Sequence, residues 1–232
     1  MPTFFKLLDV SGKFLDVGLK AFQQSLPQEM HIESRDDGTY LSVDSTDSED
    51  ETAQFRINRE LDRLYFLTGV QVRAEMCKRT VSATLTDRWS IFGSLPPNIK
   101  PLAWSYPLAL QLRLWATAGQ LEDPLIRILL LFQIIELYYG KDDYPAYDDL
   151  KAPPEPRTEC KLLRNLIAHS GDVHDRRLQK YCSYLDLPPL MLDRTDPCYV
   201  ALLSSKAPFV EREAKKVIQS TLESCVAGGS CA

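Results

Sequence analysis

The sequence predicts an α+β fold in which a mixed α/β module, residues 1–97, precedes an all-α bundle, residues 104–227. Short apolar runs, some of them alternating with polar residues, occupy the first hundred residues and are typical of strands. Beyond residue 104, apolar residues recur at helical spacing over segments of ten residues or more. Leu95-Pro96-Pro97-Asn98 separates the two patterns and predicts a boundary, because neither a helix nor a strand continues through two prolines.

The N-terminal module is predicted to contain four strands and one long helix. Apolar or alternating runs predict the strands Phe4–Val10, Gly38–Val43, Val70–Met76 and Thr80–Phe92. The helix is predicted from Thr52 to Gly69, where apolar residues recur at helical spacing and the glycine is a typical stop signal. The acidic segment Asp44–Glu51, between the strand Gly38–Val43 and this helix, is interpreted as a solvated loop.

Five helices are predicted in the bundle. The first is Leu108–Ala118, and the second runs from Asp123-Pro124, an N-cap followed by proline, to Gly140. After an irregular loop over residues 141–157, the third helix runs from Thr158 to His169-Ser170-Gly171. Asp172 is expected to cap a fourth helix that ends near Leu185. A proline-rich link over residues 188–208 then leads to the last helix, Val210–Val226.

The charge balance limits how this protein can contact nucleic acid. The formal net charge is −5, and acidic residues outnumber Lys and Arg on both sides of residue 100. Broad electrostatic binding of duplex nucleic acid requires a basic surface, which neither part of the chain provides. Any contact with RNA is therefore expected to depend on a few local cations.

The chain is expected to be a soluble, cytoplasmic protein without a membrane partner. Its first residues lack the basic leader and apolar stretch of a signal peptide. The most apolar run, Leu125–Tyr139, is too short to span a bilayer and contains Arg127, Gln133 and Glu136. The six cysteines lack a CxxC pair and are expected to be reduced thiols.

No metal or other cofactor is expected. The candidate zinc ligands are Cys160, His169, His174 and Cys182, but their spacing fits no common zinc pattern. The sequence also lacks a phosphate-cradling glycine loop and a Gly-x-Ser-x-Gly elbow. The ATPase, serine-hydrolase and metalloenzyme classes are therefore unsupported.

The segment Leu162–His169 carries the best candidate for catalysis. On a helical wheel its leucines and isoleucine share one face, whereas Arg164, Asn165 and His169 lie on the other beside the small Ala168. A histidine moves protons near neutral pH, an arginine grips a phosphate through two hydrogen bonds, and an asparagine orients a neighbouring group. This set suits phosphodiester cleavage, although spacing alone favours an ordinary polar helix surface.

The six residues Arg164-Asn165-Leu166-Ile167-Ala168-His169 resemble the Arg-x4-His signature of HEPN domains. The helix before them, with Leu131-Phe132-Gln133-Ile134-Ile135-Glu136, resembles the acidic-marked second helix of that superfamily. The likeness covers residues 104–227 and implies a bundle of four or five helices. In addition, Arg59–Gly69 resembles uncharacterised proteins related to the methylamine-utilisation J family, which implies no known chemistry.

The HEPN resemblance implies a metal-independent endoribonuclease that acts as a homodimer, with the two motif helices facing across a cleft. It assigns Arg164 as phosphate ligand, Asn165 as positioning group and His169 as acid/base. Such domains occur in toxin–antitoxin and anti-phage systems, so an antitoxin or an activating protein is an expected partner. The acidic balance and the long 141–157 loop depart from the family pattern, which bears on RNA affinity and on dimer packing.

Several further residues have two interpretations each. Glu136, with Gln133 on the same side of its helix, either orients Arg164 or His169 or forms a salt bridge to Arg127 or Lys161. The cations Arg176, Arg177 and Lys180 either receive RNA phosphates or form a solvated helix face, which is the commoner case. The tyrosines either stack on unpaired bases or close the edge of a core; they are Tyr138, Tyr139, Tyr144 and Tyr147.

The predicted function is an RNA endonuclease that leaves 2′,3′-cyclic phosphate ends, with the N-terminal module tuning or recruiting rather than cleaving. One alternative is a catalytically silent HEPN-like module whose surface docks a partner protein. A further alternative is a ligand-sensing regulator in which the N-terminal module is the working part. Cleavage of RNA by the pure protein, lost on changing His169, distinguishes the first hypothesis from the others.

Overall fold

A computed structural model describes residues 3–9, 19–35, 38–44, 50–77, 104–141, 144–147, 152–168, 175–187 and 196–226. These residues form four strands and seven helices, which confirms the mixed α+β class. The chain divides into two compact units. The N-terminal unit comprises residues 1–105 and 225–232, and the helical unit comprises residues 106–224.

The N-terminal unit contains an antiparallel sheet in the order β2-β3-β1-β4. Its strands are β1 (Thr3–Asp9), β2 (Met30–Arg35), β3 (Gly38–Val43) and β4 (Val72–Met76). The predictions of β1, β3 and β4 are confirmed. Strand β2 was missed because it lies at the sheet edge and carries a charged or polar residue at most positions, so its apolar alternation is short.

Two helices, α1 (Leu19–Ser25) and α2 (Asp50–Thr68), complete the core of this unit. One row of apolar residues on α2 is buried with Phe5 and Leu41 of the sheet; it comprises Ala53, Ile57, Leu61 and Leu64. Helix α2 ends as predicted at Gly69, whose φ of 72° lies in the left-handed region that glycine adopts without strain. Helix α1 was not predicted from the sequence.

A buried carboxylate ties α2 to the residues that precede the helical unit. Glu60 is 1% exposed, and its Oε1 accepts a hydrogen bond of 2.7 Å from the indole Nε1 of Trp104. Arg63 donates to Glu60 Oε2 over 3.3 Å, and the Arg59 guanidinium lies 4.9 Å from the Trp104 ring. Burial raises the pKa of Glu60, and the charge of Arg63 offsets part of this effect. Trp104 therefore belongs structurally to the N-terminal unit.

The part of the chain that the structure describes after residue 105 contains five helices. They are α3 (Tyr106–Gly119), α4 (Pro124–Tyr139), α5 (Pro156–Ala168), α6 (Arg176–Tyr184) and α7 (Pro197–Val226), whose last two residues belong to the N-terminal unit. Helices α3 and α4 correspond closely to the predicted segments. None of the helices among the described residues is long and apolar enough to cross a membrane.

Two predicted helix starts are wrong. Helix α6 is capped by Asp175, whose carboxylate accepts from the backbone N–H groups of Arg177 and Leu178, and not by Asp172. Helix α7 begins at Pro197, where the Asp196 carboxylate accepts from the backbone N–H of Cys198 over 2.8 Å. Both starts follow the same rule, because an aspartate directly before the first turn satisfies N–H groups that the helix leaves unpaired.

Pro208 lies inside α7, although its ring removes a backbone hydrogen bond and was expected to mark the link before the helix. A buried row on both sides of the proline explains the continuous helix; it comprises Tyr199, Leu203, Ala207 and Val210. These residues recur at helical spacing, so the burial of one continuous face outweighs the lost hydrogen bond. The exposed side of the helix accommodates the proline ring.

Some predictions fall outside the described residues. They concern the strand Thr80–Phe92, the boundary at Leu95–Asn98, most of the acidic loop Asp44–Glu51 and the glycine cap at Gly171. The predicted irregular loop is described at residues 141, 144–147 and 152–155, which are neither helix nor strand. Residues 156–157, also assigned to the loop, belong to α5.

We predict that Asp123→Ala lowers the free energy of unfolding by about 1 kcal/mol, the usual cost of removing such a cap. The Asp123 carboxylate accepts from the N–H groups of Leu125, over 2.8 Å, and Ile126, over 3.4 Å, at the start of α4. Urea denaturation followed by circular dichroism measures the change. Glu122→Ala is the matched control, since Glu122 is an exposed neighbour of the cap. An equal loss in both variants would contradict the capping role.

Candidate functional site

Helix α5 has one buried face and one polar face, as its sequence predicts. Leu162, Leu163, Leu166 and Ile167 are all at most 4% exposed. Arg164 and Asn165 are partly exposed, and Ala168 is exposed. The apolar face therefore packs into the helical unit and presents the two polar residues on its outer side.

The start of α5 is fixed by side-chain hydrogen bonds. Glu155 precedes Pro156, and its Oε2 accepts from the backbone N–H groups of Arg157, over 2.9 Å, and Thr158, over 3.2 Å. The hydroxyl of Thr158 donates to the carbonyl of Pro145 over 2.9 Å. These bonds satisfy first-turn N–H groups and attach the 144–147 segment to the helix.

A buried carboxylate holds α5 against the next two helices. Glu159 Oε1 accepts from the hydroxyl of Tyr181 on α6, over 3.0 Å, and from Nζ of Lys206 on α7, over 2.7 Å. Further along α5, the hydroxyl of Tyr199 donates to the carbonyl of Leu166 over 3.2 Å. Burial and the charge of Glu159 raise the pKa of Tyr181, so its phenol remains a proton donor.

Arg164 and Asn165 interact directly on the polar face. Nη1 of Arg164 donates to Oδ1 of Asn165 over 2.9 Å. This bond restricts the position of the Arg164 guanidinium, whose planar fork of N–H groups has the geometry that suits a phosphate. The third predicted catalytic residue, His169, lies outside the described residues, as does His174.

Two further cations share this face of α5. Arg157, Lys161 and Arg164 follow one another at intervals of four and three residues, which places them in one row, here called the α5 cation row. The Arg157 guanidinium lies 4.6 Å from the centre of the Tyr139 ring, and Lys161 Nζ lies 4.2 Å from that of Tyr144. All three cations are partly exposed.

Tyr144 lies among the charges of this face. Burial, followed by the negative charge of Glu136, raises the pKa of its phenol, and the charges of Arg157 and Arg164 act in the opposite direction. The hydroxyl oxygen is buried and has no hydrogen-bond partner among the described residues. The Tyr144 phenol is therefore neutral, and both the Glu136 carboxylate of α4 and the Arg157 and Arg164 cations of α5 act on it electrostatically.

Glu136 does not form either of the salt bridges considered for it. Arg127 Nη2 instead donates to Oε2 of Glu211 over 2.6 Å, and Lys161 Nζ donates to the carbonyl of Lys141 over 2.7 Å. The Glu136 carboxylate is partly exposed near Tyr144, so its charge acts on the site through space.

The other predicted contact residues are distributed over α4 and α6. Gln133 is exposed on α4, Arg176 and Arg177 are exposed in the first turn of α6, and Lys180 is partly exposed one turn later. They present polar groups to solvent, and their role in binding RNA stays a prediction.

Besides Tyr144, three tyrosines were candidates for stacking on bases, and they fall into two groups. Tyr147 is 5% exposed and packs edge-on against the rings of Tyr181 and Tyr184, at 6.4 Å from each, so it closes the core. Tyr138 is 45% exposed and meets Tyr139 edge-on at 4.8 Å. The end of α4 thus offers aromatic surface next to the α5 cation row, since Arg157 contacts Tyr139.

The two cysteines considered as zinc ligands, Cys160 and Cys182, are buried thiols. Burial and nearby carboxylates raise the pKa of Cys160, which keeps its sulfur protonated and unreactive. Within the described ranges, no three His, Cys, Asp or Glu side chains converge as metal ligands do.

Reasoning from the sequence did not find the α5 cation row. Residues 156–157 were assigned to the loop, and Lys161 was considered only as a partner for Glu136. The available signal was the spacing of residues 157, 161 and 164, which equals one helix face once the helix is begun at Pro156.

Comparison of the chain with protein-family models, with curated proteins and with solved structures finds no match. The function is therefore inferred from the residues and their geometry.

We predict that Glu159→Ala lowers the free energy of unfolding by about 3 kcal/mol, because it removes one partner of a mostly buried pair. Tyr181→Phe should cost about 1 kcal/mol, the usual value of one hydrogen bond, since Lys206 still neutralises the carboxylate. Urea denaturation measures both. Equal stability of the Glu159→Ala variant and the wild type would show that the pair does not hold α5.

Proposed function

We propose that the helical unit is a HEPN-like endoribonuclease that cuts single-stranded RNA without a metal ion. The observation that supports this most directly is the contact between Arg164 and Asn165 on the polar face of α5, four residues before His169 in the sequence. Arg164 and Asn165 thus lie on a helix whose opposite face is buried and whose position is fixed by Glu159.

In the proposed reaction, His169 removes the proton from a ribose 2′-hydroxyl, and the oxygen attacks the adjacent phosphorus. The bond from phosphorus to the 5′ oxygen breaks, and that oxygen takes a proton from an acid, either the protonated His169 or water. The products are a 2′,3′-cyclic phosphate and a 5′-hydroxyl. A histidine titrates near neutral pH and is suited to both proton transfers.

Arg164 neutralises the charge that builds up on the phosphate oxygens, and Asn165 holds the guanidinium in place. The 2.9 Å bond between them restricts the arginine before substrate arrives, which lowers the entropy lost on binding. A lysine would not substitute, because an ammonium is a point charge without the two-pronged geometry of a guanidinium.

We predict that His169→Ala lowers the cleavage rate of single-stranded RNA about 10²–10⁴-fold, the usual contribution of a positioned acid or base. Arg164→Lys should also lose cleavage activity, because an ammonium cannot form the two-pronged contact that a guanidinium makes with a phosphate. The assay incubates each folded protein with RNA in EDTA and identifies the ends by mass spectrometry. An RNA whose 2′-hydroxyls are replaced by hydrogen should remain intact.

The matched control is Arg113→Lys, a change at an exposed arginine on α3 that should leave cleavage like that of the wild type. Equal cleavage by wild type, Arg164→Lys and His169→Ala would show that the motif is only a surface pattern.

A silent interaction module is the second candidate function. It is favoured by apolar side chains on the exterior of α4, where Ile126 is 46% exposed, Leu137 40% and Tyr138 45%. Exposed apolar groups on one helix suit a partner protein. Absence of cleavage by the wild type, together with stable capture of a specific protein, would favour this function.

We predict that the protein is a homodimer with the Arg164 faces close together. One motif helix offers few hydrogen-bond donors to an RNA phosphate. A two-fold interface would bring the same donors from a second copy and so double their number around the phosphate. Light scattering at micromolar concentration without RNA measures the mass. A strictly monomeric mass would contradict the dimer but not the chemistry of a single motif helix.

A further inference from the structure

The α5 cation row extends the polar face away from the proposed catalytic end of the helix. Arg157 lies seven residues before Arg164, which corresponds to about 10 Å along the axis, and Lys161 lies between them. A row of this length exceeds what one phosphate needs. It suits a strand that carries a phosphate at each nucleotide.

Lys161 is the member of the row whose charge is least neutralised by neighbours. Its Nζ donates to the carbonyl of Lys141 over 2.7 Å and lies 4.2 Å from the centre of the Tyr144 ring. Both are neutral groups, and no carboxylate lies within ion-pair distance of Lys161 among the described residues. The two contacts hold the ammonium in place and leave its charge available to an anion.

Arg157 is held in a similar way at the other end of the row. Its guanidinium lies 4.6 Å from the Tyr139 ring, and its Nε lies 3.4 Å from Oε1 of Glu155. Both side chains of this ion pair are partly exposed, and ion pairs of this kind contribute little free energy in water. An RNA phosphate can therefore compete with Glu155 for the guanidinium. Tyr138, exposed beside Tyr139, offers a ring on which an unpaired base can stack.

We propose that Arg157 and Lys161 bind consecutive phosphates of single-stranded RNA on one side of the phosphate held by Arg164, with a base stacked near Tyr138. This inference rests on the proposed function, because it names where the substrate of that site lies. Single-stranded RNA fits better than a duplex for two reasons. The protein carries a net charge of −5, and the aromatic rings beside the row require unpaired bases.

The test measures binding separately from cleavage. A fluorescent RNA with 2′-O-methyl groups at every position cannot undergo the proposed attack, and its anisotropy gives Kd over a range of salt concentrations. For the wild type we expect Kd to rise steeply with salt. Lys161→Gln and Arg157→Gln should each weaken binding and lower the slope of log K against log salt by about 0.7, the value for one contact on a single strand.

Two further variants serve as controls. Lys161→Arg keeps the charge and should restore the slope. Lys215→Gln removes an exposed lysine of α7 and should leave both Kd and slope unchanged. Circular dichroism melts establish that each variant is folded. In the cleavage assay, Lys161→Gln should raise KM and leave kcat close to that of the wild type.

Each outcome either supports or overturns the inference. Equal slopes for wild type, Lys161→Gln and Arg157→Gln overturn it, as does equal binding of a duplex of the same sequence or no binding by the wild type. If RNA binds with the expected slopes but is not cleaved, the α5 cation row is an RNA-binding site, and the proposed ribonuclease function is wrong. If Lys161→Gln cleaves RNA with an unchanged KM, the proposed ribonuclease activity is supported, but the proposed binding of RNA by the α5 cation row is wrong.

Discussion

The arrangement of the helical unit depends on a charge that is mostly removed from water. Glu159 is 7% exposed, and a carboxylate at this depth would be costly without donors. Tyr181 and Lys206 supply those donors from two other helices, so the need to compensate one carboxylate joins α5, α6 and α7. The polar face of α5 is consequently fixed in rotation, and the residues proposed to act on RNA inherit that fixed orientation.

Local sequence patterns predicted those parts of the fold that depend on local physics. The wheel of α5 separates buried from polar residues correctly because one periodic face decides both, and the Asp123-Pro124 start of α4 needs only neighbouring backbone groups. Tertiary packing decided the rest. Pro208 is tolerated because Tyr199 and Val210 are buried on the same helix, which no window around the proline reveals. Strand β2 likewise depends on its pairing with β3.

The candidate site shows the same division. The nearness of Arg164 and Asn165 could be predicted, since adjacent residues on a polar helix face require no knowledge of the tertiary structure. The surroundings of Arg157 and Lys161 could not, because Tyr139 and Tyr144 reach them from α4 and from the segment that follows it. The sequence singles out Glu136, but Arg127 and Lys161, its two expected ion-pair partners, bind other groups, and its charge instead raises the pKa of the Tyr144 phenol.

The chain ends of the helical unit have a consequence for how the protein responds to proteolysis. Ser105 and Cys225 both belong to the N-terminal unit, and the Ser105 hydroxyl lies 3.9 Å from the Cys225 sulfur. The helical unit is thus inserted into the other unit and is connected to it by the backbone twice, at neighbouring points. A protease that cuts one connection leaves the second intact. The two fragments of a singly cut chain therefore separate only under denaturing conditions, and release of the helical unit requires two cuts.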